Sequence, residues 1–129
     1  IEAAGLPRPR FYRPPFGLML PSQAAFARSL GFEPVLGDVY PEDPRRPGVA
    51  KIVSRTLRRL RGGSIVILHD GSAWLPADRS QTVRAVEIIL AEAADLGLRA
   101  VTVGELLDGV EKTGGALPAD HDATARRVR

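Results

Sequence analysis

Three short stretches of this sequence combine residue types that could do acid–base chemistry. His69 ends an apolar run and stands before Asp70-Gly71, Arg13 precedes the loop Pro14–Gly17, and carboxylates occur between Asp38 and Asp43. A histidine beside a carboxylate from another loop is a usual arrangement for a tuned acid or base. An arginine nearby can hold that carboxylate ionised through a bidentate pair. Each stretch alone also has a purely structural explanation, so the functional interpretation depends on their lying together.

Short apolar runs alternate with longer helical patterns along the chain, which predicts an α/β fold with about four mainly parallel strands and flanking helices. The strands are expected at residues 9–13, 33–39, 65–68 and 99–103. The unbroken run at 65–68 indicates a strand buried on both faces. In such folds functional groups gather beyond the carboxyl ends of the strands. The three candidate stretches all stand at or just after a predicted strand.

Three helices are predicted between these strands and a fourth after the last one. The first covers residues 21–30 with Gly31 at its end, and the second covers 49–60 and ends at Gly62-Gly63. Asp78 is expected to cap the third helix, with Gln81 reaching back to it, and a Thr102–Glu105 capping box is expected to begin the last helix, over residues 105–110. The apolar stripe of the third helix is predicted to consist of Val83, Val86, Leu90, Ala93 and Leu96.

Composition excludes several classes of site. The 129 residues amount to about one domain and include no cysteine, so disulfides, cysteine-ligated metals and thiol catalysis are excluded. His69 and His121 are the two histidines, too few for a histidine-rich metal site built from this chain alone. The longest apolar run is far shorter than the roughly 20 residues of a transmembrane helix, so no transmembrane segment is predicted. The first residue is Ile1 rather than methionine, which suggests an upstream segment.

The basic residues suggest a second possible function, which concerns binding rather than catalysis. The net charge is +3, and Lys51 lies on the second predicted helix with four arginines (Arg55, Arg58, Arg59 and Arg61). A polyanion-binding site is one interpretation, but no aromatic residue accompanies these side chains. The solvated face of an amphipathic helix is the preferred interpretation, and no nucleic-acid partner is expected.

A family resemblance runs through the same residues in the same order. The stretches Phe11–Gly17, Leu30–Phe32, Gly63–Gly71 and Thr102–Leu107 resemble the later half of polysaccharide deacetylases of the NodB-homology type, carbohydrate esterase family 4. The resemblance implies that residues 1–112 are the C-terminal half of a distorted (β/α) barrel. Residues 113–129 are expected to be a flexible tail.

The resemblance also implies an activity and its alternative. The implied enzyme is a metal-dependent hydrolase that removes acetyl groups from chitin, peptidoglycan or xylan, and it uses a divalent metal, with zinc the expected ion. A secreted or cell-envelope location follows from the same resemblance. The alternative is a noncatalytic carbohydrate-binding or interaction relative with the same fold.

Catalytic roles follow from the resemblance position by position. His69 would be the general acid that protonates the departing amine, Asp43 would tune His69, and Arg13 would orient the aspartate that acts as base. The match is weakest around Asp43. The family commonly has Asp-x-x-Asp-Trp, whereas this chain has Tyr40-Pro41-Glu42-Asp43-Pro44.

Substrate-binding roles also follow from the resemblance. Pro15 and Phe16 would line the groove, with the backbone amide of Phe16 helping to stabilise the oxyanion. Leu68 would form part of the pocket for the acetyl methyl group. Tyr40 or Trp74 would replace the missing aromatic residue, although Trp74 could equally be a loop anchor.

Two family motifs are missing from the sequence. The resemblance implies an Asp-Asp pair and a His-x-x-x-His-like motif on the early strands, which bind the metal and supply the base. Neither occurs in these 129 residues. The metal site and the base are therefore expected from residues upstream, in a missing N-terminal half of the same domain.

Overall fold

Residues 4–71 and 78–112 are described by a computed structural model of the protein. The chain divides into two compact units, Ile1–Asp38 and Val39–Arg129. Within the described residues the first unit contains two strands, one α-helix and a short 3₁₀ helix at Pro15–Gly17, and the second contains three α-helices and a short 3₁₀ helix at Asp43–Arg45. The strands and α-helices are β1 (Phe11–Tyr12), α1 (Pro21–Ser29), β2 (Glu33–Pro34), α2 (Val49–Leu57), α3 (Ser80–Asp95) and α4 (Val103–Lys112).

The first unit is a short parallel β-α-β arrangement. β1 and β2 pair in parallel with Phe11 opposite Glu33, and the Glu33 N–H donates to the Arg10 carbonyl at 2.9 Å. Parallel strands need a crossover, and α1 provides it. Gly31 adopts a φ of +82°, a conformation that glycine accepts without steric cost, and this ends α1 where the sequence predicts it.

Packing of α2 against α3 forms the core of the second unit. Ile52 and Ala85 are fully buried and Ile89 is 6% exposed. Three partly buried residues pack on this cluster, namely Val49, Val53 and Leu68. The clearest sequence-predicted helix, at 49–60, is observed as α2 to Leu57, and the Leu60 N–H still donates to the Thr56 carbonyl at 3.0 Å.

The strands are shorter than the sequence predicts. In the expected strand 33–39, Glu33–Pro34 form β2 and Val39 makes a parallel bridge to Val66. The run at 65–68 is half-buried rather than buried on both faces. An apolar run indicates that its side chains need cover, but a strand also needs a backbone partner along its length. Among the described residues of the second unit the Val39–Val66 bridge provides that pairing.

The expected strand at 99–103 is wrong. Residues 99–102 belong to no strand or helix, and α4 begins at Val103. The Thr102–Glu105 capping box is confirmed, because the Thr102 N–H donates to Glu105 Oε2 at 2.8 Å and the Glu105 N–H donates to Thr102 Oγ1 at 3.2 Å. This local motif overrides the strand tendency of the preceding residues and sets the helix start two residues earlier than predicted.

The buried face of α3 also differs from the predicted stripe. Val83, Leu90 and Leu96 are 60%, 47% and 62% exposed. Of the predicted stripe, Ala93 is buried, and the other buried residues of α3 are Thr82, Ala85 and Ile89. This face carries mostly small side chains, which let a neighbouring helix approach closely, whereas hydrophobicity alone favours the larger residues on the other side.

The predicted reciprocal cap of α3 is wrong as well. Asp78 Oδ1 accepts from the Ser80 N–H at 2.9 Å, so the aspartate does stabilise the helix start. Gln81 does not reach back to it, because Gln81 Oε1 accepts from the Gly48 N–H at 2.8 Å. The glutamine therefore ties the start of α3 to the residue before α2.

Candidate active site

A single parallel bridge brings the two candidate loops of the second unit together. The Val39 N–H donates to the Ile65 carbonyl at 3.3 Å, and the Ile67 N–H donates to the Val39 carbonyl at 2.9 Å. Because the bridge is parallel, the two segments run in the same direction after it. The segments leading to Asp43 and to His69 therefore emerge at one edge, as parallel α/β folds require for a site.

Asp43 and His69 form the centre of this edge. His69 Nδ1 lies 2.9 Å from Asp43 Oδ1, and the His69 backbone N–H donates to Oδ2 at 2.9 Å. The Asp43 side chain is fully buried, whereas that of His69 is 39% exposed. A carboxylate only accepts, so Nδ1 is the protonated nitrogen facing Asp43. Nε2 is then the ring nitrogen left to exchange a proton with a substrate.

The turn that carries Asp43 is strained on both sides. Glu42 and Arg46 have φ values of +60° and +53°, in the left-handed region that side chains other than glycine rarely adopt. Such positions cost on the order of 1–3 kcal/mol each and persist only where surrounding contacts hold them. Arg55 Nη1 provides one such contact, since it lies 3.0 Å from Glu42 Oε2 and 3.1 Å from the Pro41 carbonyl oxygen.

Two predicted substrate-binding residues lie beside this pair. The Tyr40 ring packs edge-on to the His69 ring, with centroids 5.9 Å apart and planes at 72°, and Tyr40 is 50% exposed. Leu68 directly precedes His69 and packs against the α2–α3 core. The second unit thus brings together Asp43, His69, Tyr40 and Leu68.

The other described candidates belong to the first unit. Arg13 and Pro15 are exposed after β1. Phe16 has a φ of +60° and its side chain is 94% exposed. This backbone conformation, sparsely populated for phenylalanine, is of the kind found in functional loops. Trp74 and His121 lie outside the described residues.

No metal centre is formed among residues 4–71 and 78–112. Groups of three histidine, aspartate or glutamate side chains close enough to hold an ion do not occur there. The same residues include no helix of the length and apolar character needed to cross a membrane.

Two residues at the site were missed by sequence reasoning, and both come from the start of α3. Buried Thr82 donates its hydroxyl to Asp43 Oδ2 at 3.2 Å. Arg79 donates to the Gly71 carbonyl from Nε at 3.2 Å and from Nη2 at 2.8 Å. A buried threonine in a helix resembles an ordinary core residue, so Thr82 gave no signal. Arg79 did give a signal in the sequence. A positive charge is unfavourable at a helix N-terminus because of the helix dipole, so an arginine there suggests that hydrogen-bond acceptors hold it in place.

No family model matches the chain, but several individual proteins are similar to it in sequence or in structure. A peptidoglycan-N-acetylglucosamine deacetylase from Bacillus cereus is 41% identical over 102 residues, which are 77% of this chain and 46% of that relative. A chitooligosaccharide deacetylase from Bradyrhizobium sp. is 38% identical over 89 residues, which are 64% of this chain and 41% of the relative. The chain thus spans less than half the length of these curated relatives.

A solved structure shares the fold. It is a mutant of a carbohydrate esterase family 4 pseudoenzyme from Bacillus anthracis with restored enzymatic activity. The TM-score is 0.72 at 25% identity, and the match covers 83% of this chain and 36% of that one.

Proposed function

We propose that this chain, which belongs to the NodB-type polysaccharide deacetylases and corresponds to part of their domain, supplies the general acid for removal of N-acetyl groups from a polysaccharide. The observation that carries the proposal is the Asp43–His69 pair: a fully buried carboxylate 2.9 Å from Nδ1 of a histidine that stays partly exposed. In this proposal residues 1–112 are the C-terminal half of a distorted (β/α) barrel; residues 113–129, for which a flexible tail is expected, lie outside the described residues.

Amide hydrolysis explains why such a pair is needed. Water adds to the acetyl carbonyl, and the tetrahedral intermediate then breaks its C–N bond. An amine cannot leave as an anion, so a proton must reach the nitrogen as that bond breaks. His69 Nε2 donates this proton, while Asp43 holds the ring through Nδ1 and stabilises the protonated form.

The remaining predicted residues receive supporting roles. Tyr40 and Leu68, next to His69, line the sugar and acetyl subsites in this proposal. Pro15 and Phe16 line the groove, and the strained backbone at Phe16 supports the role of its amide as an oxyanion donor. Arg13 orients the aspartate that acts as base.

The substrate class proposed here is a polymer of N-acetylglucosamine. The two relatives above carry the names of deacetylases of peptidoglycan N-acetylglucosamine and of chitooligosaccharides. An amide depends more on a general acid than an O-acetyl ester does, because its leaving group is more basic.

The described residues do not fit the divalent metal ion that the family resemblance implies, because they contain no cluster of three ligand side chains. No step proposed for these residues passes through a metal. Metal dependence of the whole reaction therefore requires ligands other than those of residues 4–71 and 78–112.

Comparison of two substrates tests the role of His69. In the protein as its gene encodes it, His69→Ala should lower kcat for acetate release from N-acetylglucosamine oligomers by about 10²–10⁴-fold. Hydrolysis of an aryl acetate, whose leaving group needs no protonation, should fall far less. His121→Ala is the matched control and should leave both rates unchanged. Equal losses on both substrates would refute the general-acid role.

A noncatalytic carbohydrate-binding role is the second candidate. Pro44 stands where the family commonly has a tryptophan, and the structural relative is derived from a pseudoenzyme. Calorimetric binding of chitooligosaccharides without acetate release, under conditions where a family deacetylase is active, would favour this role over catalysis.

A further inference from the structure

The start of α3 contacts Asp43 and the loop that follows His69, and it is not among the residues that the family resemblance assigned to the site. Arg79 is the residue before α3, and Thr82 lies in the first turn of that helix. One contacts the Asp43 side chain, and the other contacts the backbone of both loops.

Thr82 completes the hydrogen bonding of a buried carboxylate. Asp43 Oδ2 accepts from the His69 N–H at 2.9 Å and from Thr82 Oγ1 at 3.2 Å, which leaves Oδ1 directed at the His69 ring. Thr82 is 4% exposed, so water does not readily replace its hydroxyl. Loss of the hydroxyl removes one of the contacts that set the orientation of the carboxylate plane toward the imidazole.

Arg79 links the two loops through their backbones. Two of its nitrogens donate to the Gly71 carbonyl, two residues after His69, and its Nη1 lies 3.4 Å from the Asp43 carbonyl oxygen. A guanidinium presents several donors in a rigid plane, whereas the lysine ammonium is a single point on a flexible stem. Lysine therefore retains the charge without reproducing this bridge.

We infer that Thr82 and Arg79 are positioning residues for the general acid. Thr82 sets the orientation of the Asp43 carboxylate, and Arg79 fixes the position of the Asp43 turn relative to the loop that carries His69. The expected effect of these two residues on catalysis rests on the proposed function. The geometric part of the inference, the restraint of the His69 ring, is independent of that function.

The decisive substitution is Thr82→Val, which removes the hydroxyl and keeps the branched shape. In the protein as encoded, kcat for N-acetylglucosamine oligomers should fall about tenfold with KM nearly unchanged, because one hydrogen bond to a charged group is lost. Thr82→Ser should restore most of the rate. Hydrolysis of an aryl acetate should remain near the starting rate.

Thr56→Val is the matched control, since Thr56 is also a buried helical threonine but its hydroxyl donates to the Ile52 carbonyl at 2.9 Å. It should destabilise the protein without affecting kcat.

The role of Arg79 is tested in the same way. Arg79→Lys should lower kcat several-fold, and Arg84→Lys, at an exposed position of α3, should not. Equal kcat for Thr82→Val and Thr56→Val would overturn the role of Thr82, and equal kcat for the two lysine variants would overturn that of Arg79.

A spectroscopic readout separates this inference from the proposed function. In ¹⁵N-histidine-labelled protein, the signal that disappears in His69→Gln identifies the ring, and its Nδ1–H should exchange faster with water in Thr82→Val and in Arg79→Lys than in the controls. If the protein releases no acetate, the proposed function fails, and this exchange rate alone decides whether α3 positions the ring. An unchanged rate would overturn the inference.

Discussion

Asp43 is the residue on which the geometry of the site depends. Its side chain is fully buried, and it accepts from the His69 ring, the His69 backbone and Thr82. A buried carboxylate is tolerated only when its oxygens are bonded in this way. The same bonds that make Asp43 tolerable in the interior also fix the tautomer of His69.

Asp43→Asn should lower the free energy of unfolding by about 1–3 kcal/mol, because the amide group turns one acceptor into a donor facing another donor. Urea denaturation measures the change. Asp70→Asn, which alters an exposed carboxyl next to His69, is the control and should stay within about 0.5 kcal/mol. A loss for Asp43→Asn no larger than for this control would contradict the importance of the buried bonds.

At the scale of elements, α3 connects the core to the site. Its buried face runs from Thr82 at the Asp43 carboxylate through Ala85 and Ile89 in the α2–α3 core. The helix is thus held by packing along its length while its first turns contact the loops. A rotation of α3 that buried the larger residues would remove Thr82 from Asp43.

Substitution of adjacent residues tests which face of α3 is buried. Ile89→Ala should destabilise the protein by about 2–5 kcal/mol through lost burial and a cavity. Leu90→Ala removes a side chain of similar size at a position that is 47% exposed, and its cost should be well below that of Ile89→Ala. Thermal or urea unfolding measures both. A larger loss for Leu90→Ala would mean that α3 packs through the sequence-predicted stripe.

The start of α4 should be sensitive to acid. The hydrogen bond from the Thr102 backbone N–H, helped by the Thr102 hydroxyl, lowers the pKa of the Glu105 carboxyl below its ordinary value. A group with a lowered folded-state pKa contributes stability that is fully present above its unfolded pKa and is lost as the pH falls through the folded value.

Hydrogen exchange measures this effect at the Leu106 N–H, which donates to the Thr102 carbonyl at 3.0 Å. Its protection factor should begin to fall as the pH approaches the ordinary glutamate pKa of about 4.3 and should continue to fall through the lower folded-state pKa. Glu105→Gln should already show the weaker protection at neutral pH and should flatten the dependence. The same pH dependence in Glu105→Gln would contradict the assignment to this carboxyl.

For the molecule as a whole, the net positive charge is small, and part of the positive charge on α2 is neutralised by an ion pair. The net charge is +3, and Arg55 on the basic helix is already paired with Glu42. A polyanion-binding protein normally presents a continuous basic face with groups for the bases or the polymer. The charge distribution favours a solvated helix face.

Duplex DNA should therefore bind more weakly than about 10⁻⁴ M at physiological salt, the weak end of nonspecific binding. Fluorescence anisotropy with a labelled duplex at two salt concentrations measures it. A dissociation constant below about a micromolar that rises steeply with salt would instead identify α2 and the arginines that follow it as a polyanion site. Lys51→Gln combined with Arg58→Gln would then abolish the binding.

Features that depend on neighbouring residues could be predicted from the sequence alone. The end of α1 at Gly31 and the Thr102–Glu105 capping box depend on a few neighbouring residues, so both could be predicted from the order of the residues. The similarity to polysaccharide deacetylases, and with it His69 and Asp43 as candidates, was also visible in short motifs. Each of these signals lies within a few positions of the feature that it specifies.

Contacts between residues far apart in the sequence are set by the packing of the whole chain. Thr82 and Arg79 reach Asp43 across 39 and 36 positions of the chain, and no local pattern encodes such contacts. The buried face of α3 depends on how closely α2 approaches, and the lengths of the strands depend on the partners available to their backbones. These are properties of packing, because burial and hydrogen bonding are satisfied by the whole arrangement of the chain rather than by the preference of any one segment.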